Sequence, residues 1–116
     1  MILGTGIDII EVERIENALK RWGDVFLNHV FLQAEIDYAN SHRFPAQHLA
    51  ARFAAKEAVF KAMGDNATVR WKDIEITNDA QGKPICVYHN KNFKNRIMVS
   101  LSHTKNYAVA SAVITP

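Results

Sequence analysis

Three side chains in this sequence could share acid, metal or phosphate chemistry: Asp8, Glu57 and Lys61. Asp8 ends an apolar strand, Gly6-Ile7-Asp8-Ile9-Ile10, and Glu57 lies inside Arg52-Phe53-Ala54-Ala55-Lys56-Glu57-Ala58-Val59-Phe60-Lys61. A carboxylate set in apolar sequence is costly to bury unless something positive meets it. Two of them, far apart along the chain and closed over one Mg²⁺ and a phosphate-bearing substrate, would make a site for phosphoryl-type transfer. Lys61 follows Glu57 by four residues and shares its helix face, with Ala50 and Ala54 leaving open space above it. Ser100-Leu101-Ser102-His103-Thr104-Lys105 adds hydroxyls, an imidazole and an ammonium in one turn, a suitable grip for phosphate.

Each feature also has a plainer reading. Glu57 and Lys61 read equally as a surface ion pair. Asp8-Ile9-Ile10-Glu11 fits a capping box that opens a helix. His48, Arg52 and Lys56 form a second stripe at helical spacing, which reads as a solvated basic face. His103 in a turn reads as structural or merely exposed. No Gly-rich phosphate loop, paired-cysteine zinc pattern or Gly-x-Ser-x-Gly elbow is present.

The elements that must position these groups follow from periodicity. Residues 2–10 read as a strand with Ile7 and Ile9 on one side and Gly6, Asp8 and Ile10 on the other. A helix from about Glu11 to Arg21 carries the stripe Val12, Ile15, Ala18, Leu19 and Trp22, and Gly23 suits its stop. Two weaker helical pieces lie around Val25–Val30 and Gln33–Ser41. The best helix runs from Pro45 to Met63, with proline in its first turn, seven alanines inside and Gly64 at its end. Ile74–Thr77 and Ile85–Tyr88 read as strands about the turn cluster 78–84, and Ile97–Ser102 and Tyr107–Ile114 as a hairpin. One strand, then helices, then strands predicts an α+β fold, an antiparallel sheet packed around a central alanine-rich helix.

The 116 residues predict a single domain spanning 1–116. With 48% hydrophobic and 22% charged residues, the chain has the composition of a folded domain. A net charge of +2 is too small to argue for nucleic acid without a clustered patch. Cys86, the one cysteine, excludes an internal disulfide and reads as a buried strand thiol in a reducing compartment. The N-terminus lacks the pattern of a signal peptide, and no apolar run is long enough for a membrane span, so a cytoplasmic protein is expected.

Three segments together resemble the holo-[acyl-carrier-protein] synthases, a small-enzyme branch of the 4′-phosphopantetheinyl transferase superfamily. They are Gly4-Thr5-Gly6-Ile7-Asp8-Ile9, Ala51 to Ala62, and Val99 to Lys105, in matching order and spacing over almost the whole chain. The resemblance implies transfer of the phosphopantetheine arm of coenzyme A to a serine of apo-acyl carrier protein, in support of fatty acid biosynthesis. It implies Asp8 and Glu57 as Mg²⁺ ligands, and Glu57 and Lys61 as catalytic, Glu57 as the base toward the serine. Arg52, Lys61, Gly64, His103 and Thr104 are implied to hold coenzyme A. Arg14 and Arg21, seven apart on the first helix, are implied to dock the acidic carrier protein. Ile10 stands where some larger superfamily members carry an additional acid, so a water is expected at that coordination position. A homotrimer with sites shared between protomers is also implied. A non-catalytic coenzyme-A-binding module is the rival reading. A nucleic-acid-binding module is disfavoured because the aromatics fall on apolar stripes.

Overall fold

The computed structural model describes residues 1–64 and 68–116. Its elements are β1 (Gly4–Glu11), α1 (Val12–Trp22), α2 (Asp24–Val30), α3 (Gln33–Asn40), α4 (Pro45–Met63), a 3₁₀ turn at Trp71–Asp73, β2 (Ile74–Asn78), β3 (Pro84–Tyr88), β4 (Arg96–His103) and β5 (Tyr107–Thr115). The strands pair antiparallel in two ladders, β1-β5-β4 and β2-β3. This is the α+β arrangement the sequence predicts, with α4 at the centre of the packing.

The bounds of α4 follow from its ends. Pro45 opens the helix, and Gly64 closes it at φ 83°, where a side chain would be strained. Gly23, at φ 52°, stops α1 in the same way. The strand β1 corrects one expectation. Asp8 does not end it; the strand runs on to Glu11, and Asp8 pairs with Ala110 of β5. Glu11 caps α1 without a side-chain hydrogen bond, so the capping-box reading of Asp8 also falls.

The approach of β1 to α4 is set by two glycines. A Cβ on Gly6 would overlap the carbonyl oxygen of Ala58, and one on Gly4 the carbonyl oxygen of Ala62. Strand and helix backbones therefore touch where any side chain would force them apart. Ala50, Ala54 and Ala58 are fully buried. The space above Ala50 and Ala54, expected to be open, is filled by packing. On the far face of β1, Ile7 and Ile9 are each 65% exposed.

The basic stripe of α4 is likewise not a solvated face. Lys56 is 0% exposed and Arg52 3%. The Lys56 ammonium donates to Glu35 Oε1 of α3 at 2.7 Å, the Val30 carbonyl at 2.8 Å and the Trp71 carbonyl at 3.1 Å, which uses all three of its protons. Glu35 also accepts from the backbone N–H groups of Leu32 and Ile76. Burial pulls the lysine below its ordinary pKa, and the Glu35 carboxylate opposes that shift. One ion pair thus ties α2, α3, α4, the 3₁₀ turn and β2 together. Replacing one partner would strand the other charge. Lys56→Met is expected to lose roughly 3–5 kcal/mol in guanidinium unfolding, and Lys56→Met with Glu35→Met to lose less than the single variant.

Candidate functional site

The close contact of β1 with α4 decides where the acids go. Asp8 lies two residues beyond Gly6 and so shares the strand face turned to the helix. On α4, Glu57 immediately precedes Ala58 and Lys61 precedes Ala62, the residues whose backbones meet the glycines. The Lys61 ammonium donates to the Ile7 carbonyl at 2.9 Å and to Asp8 Oδ1 at 3.2 Å. The ion pair expected between Glu57 and Lys61 is thus replaced by one that crosses from helix to strand. Burial raises the Glu57 pKa first and the Asp8 charge raises it further, while Lys61 opposes both. Two carboxylates that repel each other beside one ammonium form an oxygen-only donor set suited to a hard divalent cation.

The remaining predicted residues lie elsewhere. His48 stands nine residues before Glu57, and Arg52 nine before Lys61; at about 100° per residue each pair occupies opposite sides of α4. Arg52 sits with its guanidinium carbon 3.9 Å from the centre of the Tyr38 ring and donates to Asn78 Oδ1 at 2.6 Å. His103, the last residue of β4, packs on His48 with ring centres 5.0 Å apart. The Thr104 hydroxyl accepts from the backbone N–H groups of Asn106 and Tyr107, closing the β4–β5 turn. Gly64 is exposed at the end of α4, next to residues 65–67, which lie outside the described residues.

The described residues of the chain therefore carry two side-chain clusters on opposite flanks of one helix. One is Asp8, Glu57 and Lys61; the other is Arg52, His48 and His103.

A family model for the 4′-phosphopantetheinyl transferase superfamily matches residues 4–112. The chain is 48% identical over 115 residues to the holo-[acyl-carrier-protein] synthase of Thermodesulfovibrio yellowstonii, covering 99% of this chain and 100% of that protein. The chain belongs to the holo-[acyl-carrier-protein] synthase family. It is accordingly an enzyme of a transferase superfamily. Within the family, the protein of Protochlamydia amoebophila is 47% identical over 119 residues, covering 97% of this chain and 98% of its own. Among solved structures, the Bacillus anthracis synthase in complex with CoA (3′,5′-ADP) superposes at TM-score 0.85 with 39% identity, covering 98% of this chain and 96% of that one. The Helicobacter pylori synthase in complex with coenzyme A does so at 0.84 with 28% identity, covering 96% and 99%.

For this member of the synthase family, Arg14 and Arg21 lie exposed on α1, with Arg21 over the ring of exposed Trp22. Cys86 is half-buried on β3, and burial pushes its thiol up to about 12, which keeps it protonated at neutral pH. Tyr38 and His42 pack into the second cluster, and sequence reasoning did not single them out. No spacing along the chain joins them to His48 or His103, which lie on other elements.

The raised Glu57 has a testable consequence. Its folded form holds a proton more tightly than the unfolded chain, so without metal this group destabilises the protein as pH rises from the ordinary value of 4.5 through its raised folded value. Glu57→Gln is expected to remove that slope and to melt, in EDTA at pH 7, no lower than the wild type. Thermal melts across pH check this, and a variant that melts well below wild type contradicts it.

Proposed function

We propose that this chain transfers the 4′-phosphopantetheine arm of coenzyme A to a serine hydroxyl of apo-acyl carrier protein, in a Mg²⁺-dependent reaction that releases adenosine 3′,5′-bisphosphate. The observation that carries the reading is the meeting of Asp8, Glu57 and Lys61 across the β1–α4 contact in a chain of this family. The serine oxygen forms a bond to the phosphorus that bears the pantetheine, and the bridging oxygen of the pyrophosphate leaves with the adenosine bisphosphate. Asp8 and Glu57 would hold Mg²⁺, which when bound neutralises charge on the pyrophosphate oxygens. Glu57 takes the serine proton, directly or through a water. Its raised pKa makes it a better base than an ordinary glutamate, and such a base contributes about 10²–10⁴-fold. Lys61 keeps Glu57 ionised, holds Asp8 and reaches phosphate oxygen from the same flank. Ile10 offers no ligand atom, so water would complete the coordination of a bound ion.

His103, Thr104, Arg52 and Gly64 serve the coenzyme A side of the reaction, and Arg14 and Arg21 steer an acidic carrier protein onto α1. We infer a homotrimer with sites shared between copies. Two features support it. The two clusters face away from each other across α4, so one substrate would need the flanks of two protomers. The outer face of the β1-β5-β4 sheet exposes the large apolar side chains of Ile7, Ile9, Met98 and Tyr107, which a second copy would cover. The proposed catalytic unit is the one domain spanning 1–116. A cytoplasmic role in supplying holo-carrier protein for fatty acid biosynthesis fits the lone protonated thiol and the lack, among the described residues, of a helix able to cross a membrane.

Incubation of the protein with apo-acyl carrier protein, coenzyme A and Mg²⁺ is expected to add one phosphopantetheine arm to the carrier, read by intact mass. EDTA should prevent the gain, and Glu57→Gln should reduce it by at least 10²-fold. Coenzyme A binding with no mass gain would favour the rival reading, a binding module without catalysis.

A further inference from the structure

Four rings meet where α3, the loop before α4, α4 itself and the end of β4 converge. The His48 ring lies 4.0 Å from that of His42, 5.0 Å from that of His103 and 5.7 Å from that of Tyr38, centre to centre. Tyr38 in turn lies 4.5 Å from His42. One turn along α4 the guanidinium of Arg52 lies over the Tyr38 ring, and its buried Nε has no hydrogen-bond partner.

The groups that face His48 are His42 from the loop, Tyr38 from α3, His103 from β4 and Arg52 from its own helix. Glu35 of α3 acts on Arg52. Burial first, and then the charges of His42, His103 and Arg52, hold the His48 imidazole down at about 4. At neutral pH the ring is uncharged, and it can stack on its neighbours without repulsion. Among the described residues the three imidazoles do not form a metal cage. What His48 offers is latent positive charge beside the fixed cation of Arg52, a combination that answers an anion.

We propose that His48 couples capture of the phosphate-bearing end of coenzyme A to uptake of a proton, its imidazole charging only when a phosphate dianion seats against it. The inference rests on the transferase reading, in which His103 and Arg52 meet the phosphates of coenzyme A, and it adds His48 as a binding residue and a pH dependence to that site. An opposite charge at contact raises an imidazole by about 1 to 3 pH units. A rise of two or three such units would make binding roughly two- to tenfold tighter at pH 6 than at pH 8. The monoester of coenzyme A, with a second pKa near about 6, loses charge over the same interval. That loss is common to wild type and variant, so their difference isolates the ring.

Calorimetric titration of coenzyme A into wild type and His48→Phe, at pH 6, 7 and 8 and in buffers of different ionisation enthalpy, gives affinity and proton count together. The wild type is expected to take up more protons at pH 6 than the variant and to gain about two- to tenfold more affinity between pH 8 and pH 6. Parallel profiles with equal proton counts overturn the proposal. If the variant does not fold, ¹⁵N imidazole shifts of the wild type decide: His48 should move to the charged form on adding coenzyme A at pH 6, and a ring that stays neutral overturns it. Wild-type protein that transfers the arm while His48 stays neutral defeats this inference alone. Protein that does not bind coenzyme A defeats the transferase reading as well.

Discussion

Backbone contact between β1 and α4 is the constraint on which the rest of the structure depends. Gly4 and Gly6 present no Cβ to the Ala58 and Ala62 carbonyls, so the edge strand lies directly on the helix. That distance is short enough for Lys61 to reach both the Ile7 carbonyl and the Asp8 carboxylate. A Cβ at Gly6 would have to move strand or helix, and with either would move Asp8 relative to Glu57. The glycines thus set the position of Asp8 against α4. Small residues on both surfaces trade side-chain burial for the position of two acids.

The opposite flank of α4 is fixed by different physics. Lys56 and Arg52 are cations removed from water, and each is held by specific partners: Glu35 and two carbonyls for the first, Asn78 and the Tyr38 ring for the second. A buried ion pair adds little net stability over an apolar substitute but is costly to break on one side. Its effect here is to fix how α2, α3 and β2 sit on the central helix, and through them Tyr38 and His42. The helix therefore carries acids on one side and buried cations beside a cluster of imidazoles on the other. In the proposed trimer, each flank would be completed by a neighbouring copy.

Much of this was legible in the sequence. The ends of α4 were marked by Pro45 and Gly64, and the alternation of β1 correctly put Gly6, Asp8 and Ile10 opposite Ile7 and Ile9. The order of helices and strands gave the α+β class. What could not be read was partnership across the chain. Lys56 is separated from Glu35 by 21 residues, so helical spacing showed only a basic stripe and no buried countercharge. Asp8 looked like a cap because a capping box is a local pattern, whereas its pairing with Ala110 is not local. Lys61 looked like a partner for Glu57 for the same reason. The Tyr38–His42–His48–His103 cluster draws on three separated segments, and no spacing rule joins them.

The central claim is that Asp8 and Glu57, brought together by the β1–α4 contact, hold one divalent ion. The most direct test is anomalous diffraction from crystals grown with Mn²⁺ and coenzyme A. The account predicts a single strong peak within coordination distance, about 2.0–2.3 Å, of an oxygen from each carboxylate, with coenzyme A phosphate oxygen completing part of the sphere. A peak bound to only one of the two acids, or an ion held elsewhere while both carboxylates stay unligated, would contradict it.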